Sequence, residues 1–571
     1  MKKIRGIGLS PGIAIGKAWI LEDSFLNIPE YSINKKNVGK EVERFMEALR
    51  ETETEIVNLQ REIEKNGGNQ YIDIFSFHLS LLKDAFLIDE TKKIIADEKI
   101  NSESALKKML QKIGSEFKKS SDDFMKDRRR DIVDVLEKII MKLKESSNGK
   151  MKKFKNEIIV ASDLAPSQTV SLDKNYIIGF ITETGSITSH TAILAKALEI
   201  PAIVAGEKVT ELLKNKDLLI LDAEDGIIIQ NPTETVVENY KKKQKELAGK
   251  KRKLAILKNL QGETKDGRRI KIQANIELPE EIETAKKYGA EGIGLYRTEY
   301  LYLNRKGLPG EEEQFSAYKK VCSKTRGGSI IIRTLDIGGD KFMSELPYPR
   351  ELNPFMGWRG IRFCLERTDI FETQLRAIFR AATAGNLKIM FPMISTTEEI
   401  GRAKEIMAGV KRSLKKEKIQ FNGDIDVGIM IEIPSAALIS DTLAKEVDFF
   451  SIGSNDLVQY SLAVDRSNVK ISHLYQPCHP AVLQLIRTTI ENGLKAGIWT
   501  GICGEMASIP EIACLLAGMG AEELSMAPAA IPSVKEKLRA SDYSTLKELA
   551  EKVMSFSSHM DVFNYLKKNL E

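Results

Sequence analysis

From Gly262 onward the sequence repeats one rhythm, a short apolar run, a polar turn and then an amphipathic stretch. Eight runs occur: IKIQANI, GIGLYRT, SIIIRTL, LKIMFPMI, VGIMIEIP, FFSIGSND, WTGICGE and ELSMAP. Brief apolar runs separated by helix-period segments mark the strands of a parallel sheet, which is buried on both faces. Eight such βα repeats in about 310 residues predict a (β/α)8 barrel.

A barrel of this kind dictates where to look for chemistry, because its reactive side chains stand at the C-terminal ends of the strands. The second run ends in Arg297, the third in Arg333, the fifth in Glu432, the sixth in Asn455-Asp456 and the seventh in Cys503-Gly504-Glu505, with Arg466 in the loop after the sixth. Arginine forks bind carboxylate and phosphate bidentately. A Glu and an Asp with few other ligands suit Mg2+, a hard cation that keeps waters and bridges to substrate oxygens. A cysteine at a strand end can act as nucleophile or acid. Taken singly, each arginine also reads as half of a structural ion pair, and Cys503 as a small buried apolar residue. Their convergence on one rim points to a small substrate carrying both phosphate and carboxylate.

The first half of the chain follows other patterns. Gly6 to Leu21 reads as a turn and a β-rich run, and the region from Asn156 to Asn231 supplies further short strands in EIIVAS, YIIGFIT, IPAIVAG and LLILDAEDGIIIQN. These predict one α/β domain, residues 1–22 and 148–230. Between its parts, residues 23–147 lack proline over their central stretch and carry helical stripes such as Leu49, Ile56, Leu59, Ile63 and Ile132, Leu136, Ile139, Leu143, so an inserted all-helical domain is expected. Its basic run Arg128-Arg129-Arg130 reads as a solvated helix face. Residues 231–259, rich in interleaved Lys and Glu, read as an exposed connecting helix of ~37 Å at about 1.5 Å per residue. The barrel takes residues 260–571.

Within the α/β domain, the run Thr184 to Ala195, TGSITSHTAILA, passes from small and hydroxyl residues through His190 into good helix formers. That puts His190 near a helix N-terminus, where free N–H groups and the helix dipole favour an anion and disfavour a protonated ring. A phosphoryl-accepting histidine gains from both effects; a capping or packing histidine also fits the pattern.

Composition narrows the rest. The 86 Lys+Arg against 81 Asp+Glu leave a formal net charge of only +5, without the concentrated basic footprint of a nucleic-acid binder. The five cysteines, Cys322, Cys364, Cys478, Cys503 and Cys514, form no C-x-x-C pair, which argues against a disulfide framework or zinc ribbon and for a reducing, cytoplasmic setting. The N-terminus is a poor signal peptide, and no apolar stretch of about 18 residues is present to span a membrane.

The run GSITSHTAILAKALEIPAIVAG resembles the phosphohistidine signature of the phosphoenolpyruvate (PEP)-utilising enzymes, and GIGLYRTEYLYLNR, IIRTLDIGGDK, NPFMGWRGIR, GIMIEIPSA, IGSNDLVQYSLAVDR and GICGEMA resemble the barrel of the same family. The likeness covers essentially the whole chain. The order of domains is similar to that of the enzyme I branch of the bacterial sugar phosphotransferase system. The resemblance implies that His190 takes the phosphoryl group of PEP on Nε2 and passes it to a histidine of the phosphocarrier HPr. It implies that Thr169 orients the histidine, that Arg297, Arg333, Asn455, Asp456 and Arg466 bind the substrate, and that Lys341 adds positive charge near the phosphate. It further implies Mg2+ on Glu432 and Asp456, protonation of enolpyruvate by Cys503, HPr docking on the helical insert, where His78 matches a family position, and a homodimer formed through the barrel. The α/β domain must then swing between barrel and carrier, with residues 231–259 as the hinge region.

Some positions depart from the family pattern. Ser186 stands where a second Gly is common, Ile187 where Arg is common, Cys478 where Met is frequent and Ser454 where Thr is usual. None removes an expected catalytic group. A scaffold paralogue without catalysis would lack His190, Arg297, Arg333 or Cys503, and all four are present. A nitrogen-branch relative would carry a sensory domain before GIGLSPGIAIG, and a dikinase would carry a nucleotide-binding module of several hundred residues; neither is expected here.

Overall fold

The structure is a computed structural model, and it describes all residues except 22–29, 66–77, 118–122, 146–156, 163–176, 184–199, 207, 303–306, 326, 339–350, 352, 467, 469 and 571. The chain divides into two units, Met1–Gly249 and Lys250–Glu571.

In the first unit the valine- and isoleucine-rich runs form strands β1 (Lys2–Arg5), β2 (Ile7–Ser10), β3 (Ile13–Ile20), β4 (Glu157–Ala161), β5 (Ile177–Thr182), β6 (Ala202–Val204), β7 (Leu218–Asp222) and β8 (Ile227–Gln230). Among the described residues they make one sheet in the order β1-β8-β7-β3-β4-β5-β6-β2. The period of two divides its faces: Ile158, Val160 and Ile181 enter one core, and Ile159, Ala161 and Phe180 enter the other.

The sequence between β3 and β4 is helical where described, over Val38–Lys65, Ala85–Glu98, Ser102–Phe117 and Asp123–Glu145. These helices bury their own core, which includes Leu49, Ile56, Leu136, Ile139 and Leu143 of the two expected stripes, together with Phe45 and Leu106. The side chains of Leu59, Ile63 and Arg128-Arg129-Arg130 lie outside the described residues. His78 is wholly buried, with Nε2 3.8 Å from the carboxylate of Asp134.

The connecting helix forms, over Glu234–Ile256, but its first half is not the exposed rod that its composition suggested. Val236, Val237, Tyr240 and Leu247 pack on Ile13, Ile220 and Ile229 of the sheet. Lys243 pairs with Asp222 and Asp225, each at 2.6 Å, and the Gln244 amide donates to the carbonyl of Ile13 at 2.7 Å. Four apolar residues spaced 236, 237, 240 and 247 give this helix a narrow apolar stripe, which the surrounding lysines and glutamates mask in the average composition.

In the second unit the eight expected runs become β9 (Lys271–Ile276), β10 (Ile293–Tyr296), β11 (Ile330–Arg333), β12 (Leu387–Phe391), β13 (Val427–Ile431), β14 (Phe449–Ile452), β15 (Trp499–Ile502) and β16 (Glu523–Met526). Each pairs in parallel with the next, and β16 closes on β9. Local chemistry sets the intervening helices. Thr396 caps Thr397–Lys416 with a reciprocal Glu399 bond, and Pro480 opens a helix that ends at Gly497 in a left-handed conformation, φ 78°.

Among the described residues, no helix is long and apolar enough to cross a membrane.

Candidate active site at the barrel rim

The closed barrel brings the strand-end residues of β10, β11 and β13 to β15 to one mouth. Arg297 follows β10, Arg333 ends β11, Glu432 follows β13, Asn455 and Asp456 open the helix Ser454–Leu462 after β14, and Cys503 follows β15. Two polar clusters result.

The first is a web of arginines and carboxylates. Arg333 reaches Glu299 at 3.2 Å and Asp336 at 2.9 Å. Arg359 grips the same Asp336 with two bonds, 3.0 and 2.7 Å, and reaches Asp456 at 3.1 Å. Burial works against the charge of Arg333, but Glu299, Asp336 and Glu432 outweigh it and push its pKa up. Arg359 is raised in the same way, by Asp336 and Asp456 above all, against the cost of its burial. Both guanidinium groups are therefore fixed cations. Arg297 is more open, paired at 2.6 Å with the exposed Glu277.

Glu432 is buried, and one carboxylate oxygen accepts the Met393 backbone N–H at 2.6 Å. Met393 takes a left-handed φ of 58°, a conformation that a non-glycine residue adopts only when its surroundings impose it. Burial, with the nearby negative charges of Asp456 and Asp336, pushes Glu432 up to about 8. Among the described residues, no group of three or more His, Cys, Asp or Glu side chains is placed to hold a metal ion. The two oxygen donors Glu432 and Asp456, in a cluster that sets four carboxylates against two arginines, do fit Mg2+, which takes one or two carboxylates and leaves its other positions to waters and substrate.

The second cluster joins three predicted residues through one carboxylate. Glu505 accepts from Arg466 at 2.5 Å and from the Asn455 amide at 3.2 Å, while its backbone N–H donates to the Asn455 carbonyl at 2.8 Å. Arg466 donates its backbone N–H to Gln459. Gly504 permits this closeness, since a Cβ there would lie 1.9 Å from the Ser454 hydroxyl oxygen.

Cys503 sits below the arginines among Leu295, Ile331, Met390, Met430 and Phe449. Its thiol is 3.7 Å from the Ile452 carbonyl, and burial pushes it up to about 11. The group is a thiol, not a thiolate, at neutral pH. It is buried in apolar surroundings, and it follows β15 at the mouth.

His190, Thr169, Lys341, Ser186 and Ile187 lie outside the described residues. Conversely, reading the strand ends assigned nothing to Glu299, Asp336 or Arg359. Arg359 stands well beyond its strand, within the run NPFMGWRGIR, where Gly360 is held at φ 59° beside Met393.

The model for the PEP-utilising enzyme, PEP-binding domain, matches residues 251–543, that for the N-terminal domain of the same enzymes matches 5–128, and that for their mobile domain matches 154–226. The chain belongs to the PEP-utilising enzymes. Within that family it is similar to proteins named phosphoenolpyruvate-protein phosphotransferase. The one from Buchnera aphidicola subsp. Baizongia pistaciae is 42% identical over 98% of both chains. That from Priestia megaterium is 42% identical over 99% of both, and that from Bacillus subtilis strain 168 is 42% identical over the full length of both. This PEP-utilising enzyme is accordingly a transferase of the enzyme I branch, and the barrel expected from its eight apolar runs is its PEP-binding domain.

Proposed function

We propose that the chain moves the phosphoryl group of PEP to Nε2 of His190 and then to a histidine of the phosphocarrier HPr, releasing pyruvate in the first step of the sugar phosphotransferase system. The observation that carries this reading is the rim itself: Arg297, Arg333, Arg359 and Arg466 gather with Glu432, Asp456 and Cys503 at the C-terminal ends of the barrel strands.

Phosphoryl transfer asks chiefly for in-line positioning and neutralisation of oxygens. The arginines hold the phosphate and carboxylate of PEP in one orientation. The neutral imidazole of His190 attacks phosphorus, the bond from phosphorus to the enol oxygen breaks, and the electron pair leaves with enolpyruvate. Glu432 and Asp456 would hold Mg2+, which supplies positive charge to the phosphate oxygens. The Cys503 thiol, kept protonated by burial, gives its proton to the methylene carbon, yielding pyruvate, and regains one from water.

The reading extends to the other domains. Thr169 orients His190, and Lys341 adds charge near the phosphate. Residues 1–22 and 148–230 carry the phosphohistidine, residues 23–147 receive HPr, residues 231–259 connect, and residues 260–571 bind PEP and dimerise in the cytoplasm. The experiment is incubation with labelled PEP and Mg2+ without nucleotide. An acid-labile phosphoryl adduct that disappears in His190→Ala is the expected result, and a wild-type chain that acquires no adduct overturns the proposal.

A further inference from the structure

Behind the rim, on the side away from the barrel axis, lies a polar chain that the mechanism above does not use. Gln374 belongs to the helix Thr368–Ala381, on its buried face between Phe371 and Ile378, and is itself fully buried. Its carbonyl oxygen accepts the backbone N–H of Leu335 at 2.9 Å. Its amide donates to the Thr298 hydroxyl at 3.1 Å and to the Tyr318 hydroxyl at 3.2 Å. Thr298 passes the chain on by donating to the carbonyl of Arg333 at 3.1 Å. Tyr318 donates to Gln314 at 3.0 Å, Tyr302 donates to the same oxygen at 3.1 Å, and the Gln314 amide closes on the Pro309 carbonyl at 3.1 Å.

Every donor in this chain finds an acceptor, and the direction of each bond is dictated by the last. Its two ends are the informative part. Thr298 is the residue after Arg297, and Leu335 is two beyond Arg333, so one amide ties both arginine-bearing strand ends to a single helix, one through the Thr298 hydroxyl and the other through the Leu335 backbone. Glu299, next along, repeats the tie by accepting from the Arg333 side chain and from the backbone N–H of Asp336 at 3.0 Å. A buried glutamine on an otherwise apolar helix face costs stability unless its whole hydrogen-bonding capacity is used. Here that capacity is spent on the spacing of two side chains that Gln374 does not touch.

We propose that Gln374, acting through Thr298 and Leu335, is the positioning residue that fixes the separation of Arg297 and Arg333, and so sets the affinity of the mouth for PEP. This rests on the functional reading above. An error of about 1 Å in such a constellation suffices to cost up to about a hundredfold in rate.

The test uses the full chain and follows adduct formation in a single turnover as PEP is varied, giving a half-saturating concentration and a limiting rate, with thermal unfolding measured alongside. Gln374→Met keeps the volume and removes all three bonds; Thr298→Val removes the hydroxyl and keeps the shape. Each is expected to raise the half-saturating PEP concentration about tenfold, with Thr298→Ser near wild type. The double variant Gln374→Met/Thr298→Val is expected to be no worse than the poorer single one, since both break one linkage. Tyr318→Phe, which cuts the chain on the side away from the arginines, is expected to lower the melting temperature and leave the half-saturating concentration unchanged.

If Gln374→Met fails to fold, Thr298→Val decides. Half-saturation within twofold of wild type in the folded variants overturns the proposal, as does a Tyr318→Phe variant with the same PEP defect, because either result reduces the chain to packing. A wild-type chain that forms no adduct overturns the functional reading instead, and this proposal with it.

Discussion

The two ends of the barrel both bury charge, and they do so by opposite means. At the C-terminal mouth Arg333 pairs with Glu299 and Asp336, and Arg359 with Asp336 and Asp456, so each of these arginines has two carboxylate partners. At the N-terminal floor a single carboxylate, Glu523, is fully buried with one hydrogen bond from Gln273 at 2.7 Å. Its nearest cations, Lys271 and Lys388, lie across the faces of Trp499 and Phe449, two rings stacked 4.5 Å apart. The mouth keeps its arginines charged. The floor screens one acid with aromatic planes and lets its proton affinity rise, and burial pushes Glu523 up to about 7. At the mouth carboxylate partners hold the arginines charged, whereas at the floor burial suppresses the acid's own charge, as it also does for Glu432 on the mouth's wall.

The contrast can be broken most severely at the mouth. Arg333→Met leaves Glu299 without its buried cation and Asp336 with Arg359 alone, and losing one partner of such a web costs about 3–5 kcal/mol. Denaturant unfolding is expected to show that loss, and the rate of adduct formation from PEP to fall by about 10³-fold.

The floor comes next. Because the folded-state pKa of Glu523 lies above its unfolded value of 4.5, its contribution to stability is full below about pH 4.5 and is lost as pH rises through 7. The size is about 3 kcal/mol, at 1.36 kcal/mol for each unit. Unfolding measured from pH 4 to 8 is expected to show that decline in the wild type, and Glu523→Gln to lose about 3 kcal/mol of it, the part that comes from Glu432 remaining.

Cys503→Ala separates proton donation from charge pairing. The adduct is expected to form slowly, while sustained turnover with a carrier drops about a hundredfold. Unchanged turnover removes the thiol from the mechanism. The smallest effect belongs to Lys388→Met, which deletes one cation over the aromatic stack and costs about 0.5–1 kcal/mol at neutral pH. Since Lys388 holds the Glu523 pKa down, the midpoint of the pH decline is also expected to move upward.

Much of this molecule was legible before any coordinates. Each of the eight apolar runs became a barrel strand, because a parallel strand buried on both faces leaves a continuous signal that needs no partner to be seen. The strand-end rule then located Arg333, Glu432, Asn455, Asp456 and Cys503 at one mouth. What escaped was whatever depends on a distant segment. Arg359 is placed by Asp336 and Asp456, neither close to it in sequence. Gln374 looks like an ordinary polar residue of an amphipathic helix until its position is compared with Ile370, Phe371, Leu375 and Ile378, all buried with it. A polar residue on the apolar stripe was the available clue. The connecting helix misled for the converse reason, its narrow apolar stripe being diluted by lysine and glutamate.

All five cysteines are buried, and burial pushes every one of their thiols above its usual range. The native chain therefore offers no surface thiol to a maleimide dye. A pair of cysteines introduced on exposed positions, one in each unit, would take label without background and without first stripping the chain of its own sulfurs, Cys503 included. The distance between the two dyes, followed as PEP is added, would turn the supposed swing of the histidine domain into a fluorescence trace.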